Sequence, residues 1–362
     1  MTSRSTFVLF YSLFYSPFYS PFYSPFYSHF YFHFYFHFYF LFYSQFYSPF
    51  YSHFSKTMSI AYLISAFADP QHLKRLIAAL DAEGCEFFVH VDKKVDISPF
   101  MQLCSAENIH FLDNRVNVYW GTYSQVEFQM RMIRAALDAN SPFDRLFILS
   151  GQDYPLWSNR RIADYLTAAG DKELLSGICL DCDEVQEQKK QMYRLYRPQT
   201  DFRWLSPRLN DSLSMGIRKL CKWLGVRKKL NLTVGGQNWR LYKGSDYLCL
   251  SRPLAEYVYT TWADNLAVRR YFQSSFAPSE TCIQTIVFNH PEFRQRADLH
   301  TGDYQTLKAL TFLHHIDYIP VIRVWKEPDY DELMKSGKMF ARKFTTADST
   351  TLLELIDLQR RG

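Results

Sequence analysis

Two regimes of apolar and polar positions divide this chain at Met58, and only the second has the periods of folded structure. SIAYLISAF (59–67) is an apolar run of strand length, and residues 70–81 follow it with Leu73, Leu76, Ile77 and Leu80 at helical spacing. CEFFVHVD (85–92) predicts a second strand and IHFLD (109–113) a third. Residues 123–138 place Val126, Met130, Ile133 and Leu137 on one helical face, and DRLFILS (144–150) is a fourth strand that breaks at Gly151. Apolar strands alternating with amphipathic helices predict a largely parallel sheet covered on both faces. Ligands of such sheets lie outside the carboxyl ends of the strands, which here means Asp92, Asn114 and the loop Gly151-Gln152-Asp153.

The C-terminal half is less regular. Residues 174–180 predict another strand, and 181–215 a polar, aromatic-studded loop region with room for a short helix. Residues 213–229 read as an amphipathic helix and its exit, carrying Arg218, Lys219, Lys222, Arg227, Lys228 and Lys229. Such a cluster is ordinarily a solvated face; peripheral contact with an anionic membrane, or with an acidic acceptor, is the functional alternative. Gly235-Gly236-Gln237-Asn238-Trp239 reads as a turn, Ser251 starts a helix with Pro253 in its first turn, and residues 317–344 close the fold around a short helix at 329–335.

Before Met58 the pattern is of another kind. From Phe10 to Phe54 the chain repeats Phe-Tyr-Ser-X with a period of four and has no charged residue between Arg4 and Lys56. Tyrosine, serine, proline and histidine make it too polar for a membrane span, and it lacks the compact apolar region of a secretory signal. Residues 1–57 are therefore expected to be a low-complexity tail, disordered or self-associating if made, and translated repetitive DNA upstream of a start at Met58 is the simplest origin. Residues 58–362 are expected to form one catalytic domain. Setting Arg4 and Lys56 aside leaves 39 cations against 36 carboxylates, too small an excess for a nucleic-acid footprint. Seven scattered cysteines, of which only Cys179 and Cys182 have ligand-like spacing, suit reduced thiols better than zinc or disulfides. With no apolar span, the expectation is a cytoplasmic protein, peripheral to a membrane at most.

Two stretches invite chemistry. APSETCIQTIVFN (277–289) sets Glu280 just inside the start of an apolar helix, after Pro278 and a capping Ser279, so that the helix dipole would favour its ionised form by about 0.3–1 kcal/mol. FARKF (340–344) holds Arg342 and Lys343 between two aromatic anchors. A base for an incoming hydroxyl and cations for departing phosphates are what group transfer from a nucleotide diphosphate requires. Taken singly, each stretch has an ordinary structural reading as a cap or a solvated pair. Asp181-Cys182-Asp183 is a D-x-D, the pair that holds a divalent ion in metal-dependent transferases. It follows a later strand than expected, however, and the fourth strand ends in a single carboxylate, so no metal is assigned.

In order and spacing, AYLISAFADP (61–70), VHVDKK (89–94), VYWGTYSQV (118–126), LSGQDYPL (149–156), GGQNW (235–239), APSETCIQTIVFN, IDY (316–318) and FARKF resemble the core-2/I-branching β-1,6-N-acetylglucosaminyltransferases and peptide O-xylosyltransferases. The resemblance implies an α/β, GT-A-like fold, a UDP-sugar donor, inversion at the anomeric carbon and no metal or other cofactor. It places the general base at Glu280 and the diphosphate cations at Lys343 and Arg342. It puts Asp153 at the junction of acceptor and donor, and His90, Asp92, Trp120 and Gly121, with Ser124, around the nucleoside. The second diphosphate-binding cation falls on Arg323 or on His314-His315, with Arg323 the assignment adopted. Trp120 and Trp239 suit sugar or uracil platforms as well as a core. Ser279 stands where many relatives have Asp, which bears on acceptor preference, and Phe67 stands where His is common.

The expected activity is transfer of N-acetylglucosamine from UDP-GlcNAc to a sugar hydroxyl in β-linkage. UDP-xylose-dependent transfer to a protein serine is the alternative within the class, and a non-catalytic carbohydrate-binding protein the alternative outside it. Expected partners are the UDP-sugar and a glycan, lipid-linked or protein acceptor.

Overall fold

The alternation of faces along each strand builds the layers. A computed structural model describes residues 58–182, 184–304, 307–318 and 321–361, so the readings for 1–57 and for Asp183 lie outside the described residues. Strand β1 (Ile60–Ala66) is followed by helix α1 (Pro70–Leu80), β2 (Cys85–Val91), α2 (Ser98–Leu103), β3 (Ile109–Phe111), α3 (Ser124–Asp138) and β4 (Arg145–Ser150). In β1, Ala61 and Leu63 pack with Val126, Met130 and Ile133 of α3, whereas Ile60, Tyr62 and Ile64 pack with Leu73, Leu76 and Ile77 of α1. One strand thus serves two cores, which is why its sequence is apolar throughout.

The chain then runs through β5 (Asp153–Pro155), α4 (Asn159–Ala169), β6 (Ser176–Cys179), α5 (Glu187–Tyr193), α6 (Pro207–Trp223), β7 (Asn231–Val234), β8 (Gln237–Arg240), β9 (Tyr242–Gly244) and β10 (Leu248–Ser251). The main sheet has the order β10-β4-β1-β2-β3, parallel except for β10. This is the mainly parallel, helix-covered α/β architecture expected. After β10 come α7 (Arg252–Asp264), α8 (Leu266–Gln273), the 3₁₀ turn Pro278–Glu280, α9 (Cys282–Phe288), α10 (Phe293–Arg296) and β11 (Asp298–His300). The last elements are β12 (His314–Ile316), α11 (Tyr330–Lys335), β13 (Phe340–Arg342) and α12 (Thr346–Arg361).

Several expectations need correction. The region 181–215 holds two helices, α5 and most of α6, the latter beginning at Pro207 with Ser206 accepting the Leu209 N–H at its N-cap, six residues before the expected start. Gly235-Gly236 alone is the turn; Gln237, Asn238 and Trp239 are strand residues of the β7–β8 hairpin. The fold does not close at 344 but with α12, whose Leu352, Leu353 and Ile356 join the α1 core. Ser251 does cap α7, its hydroxyl accepting the Leu254 N–H at 3.3 Å. Two small sheets, β11-β6-β9 and β12-β13-β5, bring the segments around Lys243 and around Asp153 and Arg342 into register with their neighbours.

Candidate active site

The site is assembled by three joints. In the first, the Ala277 N–H donates to the Gly121 carbonyl at 3.1 Å, tying the loop before α3 to the segment before α9. Gly121 has φ 69°, a backbone that favours glycine, and a side chain there would press on the Phe276 ring at 3.2 Å. Ala277 itself has a left-handed backbone, φ 44°, and diverts the chain into the 3₁₀ turn before the helix begins at Cys282. Glu280 therefore does not occupy a helical first turn, and Ser279 is not a cap; its hydroxyl instead donates to Asp246 Oδ2 at 3.5 Å.

What holds Glu280 is a pair of side chains absent from the sequence reading. Tyr193 of α5 donates its hydroxyl to Glu280 Oε2 at 3.1 Å, and Lys243 of β9 donates its ammonium to the same oxygen. Lys243 is 2 % exposed and Glu280 31 % exposed, so the pair is open only on the carboxylate's side. Tyr193, 87 residues from Glu280 in sequence, could not have been found by spacing. Asp246 closes the group: burial first, and then the charge of Glu280, push its carboxyl up to about 6 from the ordinary 3.8.

A raised carboxyl pKa means that the folded chain holds the proton more tightly than the unfolded one. The Asp246 contribution to stability is then present in full below about pH 4 and is lost as pH rises through about 6. Asp246→Asn is expected to remove that fall and, after allowance for solvent screening, to raise the melting temperature at pH 7.5 by roughly 2–4 °C with no change near pH 4. Thermal unfolding at the two pH values checks this; an equal rise at both would show that ionisation is not the cause.

The second joint is the small sheet of β5, β13 and β12. Its register sets Arg342 opposite Asp153, and the Arg342 guanidinium donates to Asp153 Oδ1 at 3.0 Å. Asp153 Oδ2 receives the Ser150 N–H at 2.7 Å and faces His314 Nε2 at 3.1 Å. Burial opposes ionisation of Asp153, but His314, Arg342 and the Ser150 amide outweigh it and hold the carboxyl below its usual range. Tyr247, next to Asp246, lies 5.3 Å from the Arg342 guanidinium and 4.8 Å from the His314 ring. Asp246 thus feels the charges of both Glu280 and Arg342, which ties the two joints together electrostatically. Arg342 Nε and His314 Nδ1 are buried there and have no hydrogen-bond partner among the described residues.

The third joint brings Arg323 beside Lys343. Their backbones exchange a hydrogen bond of 3.2 Å, and the Phe344 N–H reaches the Gln152 carbonyl at 2.9 Å. The Lys343 ammonium is half-buried and makes no hydrogen bond or ion pair among the described residues. Arg323 is differently placed. Its guanidinium stacks on Trp325 and pairs with Asp329, with Glu332 at 3.4 Å and with Asp317 at 3.9 Å. The alternative cation, His315, faces Glu332 at 3.0 Å.

The residues assigned to the nucleoside shape a loop. His90 is buried against Phe128 and accepts the Val116 N–H at 3.0 Å; burial, then Arg131 and Arg115, drive its pKa down to about 4, so it is neutral. Asp92 Oδ1 accepts the N–H groups of Lys94 at 3.0 Å and Val118 at 3.2 Å. Together they fix the approach to Trp120, which is 71 % exposed with its ring edge-on to Phe276. Ser124 is turned inward, accepting the Tyr119 N–H at 2.8 Å. Trp239 is not a platform: it is buried in the core. Asp181 pairs with Arg240 at 3.7 Å, and among the described residues no group of three histidine, cysteine, aspartate or glutamate side chains is placed to hold a metal ion.

Comparison with known proteins matches residues 60–306 to the family model described as Core-2/I-Branching enzyme. Xylosyltransferase 2 of Rattus norvegicus is 23% identical over 316 residues, covering 84% of this chain and 34% of its own length. Xylosyltransferase 2 of Homo sapiens is 24% identical over the same span and coverage, and xylosyltransferase oxt of Drosophila melanogaster is 23% identical over 318 residues, 83% of this chain and 33% of its own. The chain thus spans about a third of the length of these relatives. Glu280 lies within the family match, whereas Arg323, Arg342 and Lys343 lie beyond it.

Proposed function

The chain belongs to the Core-2/I-branching enzyme family, and from that premise we propose that it is an inverting, metal-independent glycosyltransferase moving N-acetylglucosamine from UDP-GlcNAc to a sugar hydroxyl. The observation that carries the reading is Glu280: a carboxylate open on one side, backed by a buried ammonium and a phenol, and coupled by charge through Asp246 to Arg342. In the reaction the carboxylate takes the acceptor hydroxyl's proton as that oxygen attacks the anomeric carbon. The bond to the UDP oxygen breaks on the opposite face, and its electron pair leaves with UDP. The unpaired Lys343 ammonium is the foremost candidate to meet that charge; Arg342 assists from its pair with Asp153, and Arg323 would first have to leave its carboxylates. Charge stabilisation of this kind gains from a low-dielectric setting.

Ser279, donating toward Asp246 beside the base, makes those two residues the natural determinants of acceptor choice. The second reading, UDP-xylose as donor and a protein serine as acceptor, is supported by the names of the relatives. A screen of UDP-sugars for thermal stabilisation and hydrolysis tests both. One donor is expected to raise the melting temperature and be hydrolysed at the same rate in excess EDTA. Activity lost in EDTA and restored by manganese would overturn the metal-free proposal, and stabilisation without hydrolysis or transfer would move the reading to a carbohydrate-binding protein.

A further inference from the structure

Helix α6 is built inside out. Its inward side is polar: the Asn210 amide donates to the Phe202 and Leu205 carbonyls at 3.1 and 3.2 Å, Ser214 to the Pro198 carbonyl at 2.7 Å, and Arg218 to the Leu195 carbonyl at 3.2 Å. Its outward side is apolar. Leu209, Leu213, Leu220 and Trp223 fall within one arc of the helix and are exposed, Leu220 by 52 % and Trp223 by 81 %, with Leu224 continuing the stripe. Soluble helices place these faces the other way round.

The charge around the stripe identifies its partner. Between residues 202 and 229 there are eight cations and one carboxylate, Asp211, which turns inward to Arg197 at 2.7 Å. Of the six cations that marked this region in the sequence, Arg218 and Lys228 also turn inward, Lys228 onto Ser274 and Ser275 at 3.0 and 2.9 Å. Lys219, Lys222, Arg227 and Lys229 remain exposed, joined by Arg203 and Arg208. A second copy across a twofold axis would bring these like charges together. An apolar ridge with a tryptophan, rimmed by cations, fits the headgroup boundary of an anionic bilayer. No helix among the described residues is long and apolar enough to cross one.

We propose that the outward face of α6 docks on an anionic lipid surface, lying in its plane, while its inward face packs toward the candidate site. The connection to the site is short. The Arg218 guanidinium sits 4.1 Å from the Phe276 ring, Phe276 packs 6.1 Å from the Tyr193 ring, and Tyr193 donates to Glu280. Trp120, edge-on to Phe276, has its carbonyl held by Arg197, which also holds Asp211 of α6. If the transferase reading holds, this proximity to the bilayer favours lipid-linked acceptors; the docking itself does not depend on that reading.

The test is co-sedimentation of the full chain with vesicles of phosphatidylglycerol and phosphatidylcholine, against vesicles of phosphatidylcholine alone. Binding is expected only with the anionic lipid and to weaken with salt. L213E/L220E should lower the partition coefficient at least roughly tenfold, and K219E/K222E by a similar factor, both with unchanged melting temperature because the altered side chains are exposed. Residues 1–57 are common to every variant, so the differences report α6. UDP-sugar hydrolysis without vesicles should be the same in all three proteins, which separates this proposal from the catalytic one. Equal binding to neutral vesicles, binding that survives both double substitutions, or a concentration-dependent oligomer that L213E/L220E dissolves would overturn it.

Discussion

Glu280→Gln is expected to lower transfer turnover by about 10²–10⁴-fold while UDP affinity stays within a factor of about two. The substitution keeps shape and removes only the proton acceptor. It also strands Lys243, 2 % exposed, whose sole carboxylate partner is Glu280 among the described residues. A buried cation deprived of its partner is destabilising, and because Glu280 is partly solvated the cost is about 1–3 kcal/mol rather than the full value for an enclosed pair. Stability and turnover therefore have to be measured together. The double variant Glu280→Gln with Lys243→Met should recover most of the melting temperature and none of the turnover. Recovered activity in the double variant would mean that the pair is structural and that the base lies elsewhere; Asp246, 3.5 Å from Ser279 Oγ, would be the next carboxylate to examine.

How much of this was legible in the sequence differs from element to element. The strands β1, β2 and β4 and the helices α1 and α3 have periods long enough to read, and the sheet built from them is the expected one. The strands β5, β12 and β13 are three residues each, too short for any period, yet their register makes the Asp153–Arg342 pair. Periodicity located α6 but could not say which face turns inward, because an apolar stripe reads the same whether it meets a core or a membrane. The capping of Glu280's helix failed for a local reason: Ala277 adopts a backbone that composition gives no cause to expect, and its N–H is bound to Gly121. Lys243 and Tyr193 were invisible because nothing in sequence links them to Glu280; only the fold, which brings β9 and the end of α5 to its carboxylate, does so. Around β9 the one hint is Gly244, where a side chain would lie 2.1 Å from the Ser176 carbonyl.

Asp153→Ala is expected to cost about 3–5 kcal/mol and to lower the melting temperature by roughly 5–15 °C. The Asp153 side chain is 0 % exposed, and its two oxygens face Arg342, His314 and the Ser150 amide, so it positions the Arg342 guanidinium rather than touching an acceptor. Without it, Arg342 keeps a buried charge with no carboxylate in contact; burial opposes that charge, and the Asp153 carboxylate is what offsets it. The pH dependence follows from the direction of the Asp153 shift. Its carboxyl is held below the ordinary 3.8, so the stabilisation is present in full above that value and is lost as pH falls through the lowered one. Denaturant unfolding should therefore give the same gap between wild type and Asp153→Ala at pH 7 and pH 5, narrowing only in stronger acid. A gap that closes between pH 7 and 5 would show that the ionised Asp153 carboxylate is not the source of the stabilisation. The double variant Asp153→Ala with Arg342→Met should regain much of the stability, because an enclosed ion pair exchanged for apolar contacts is often neutral. Turnover should stay reduced, since in the proposed function Arg342 assists Lys343 in meeting the charge of the leaving UDP.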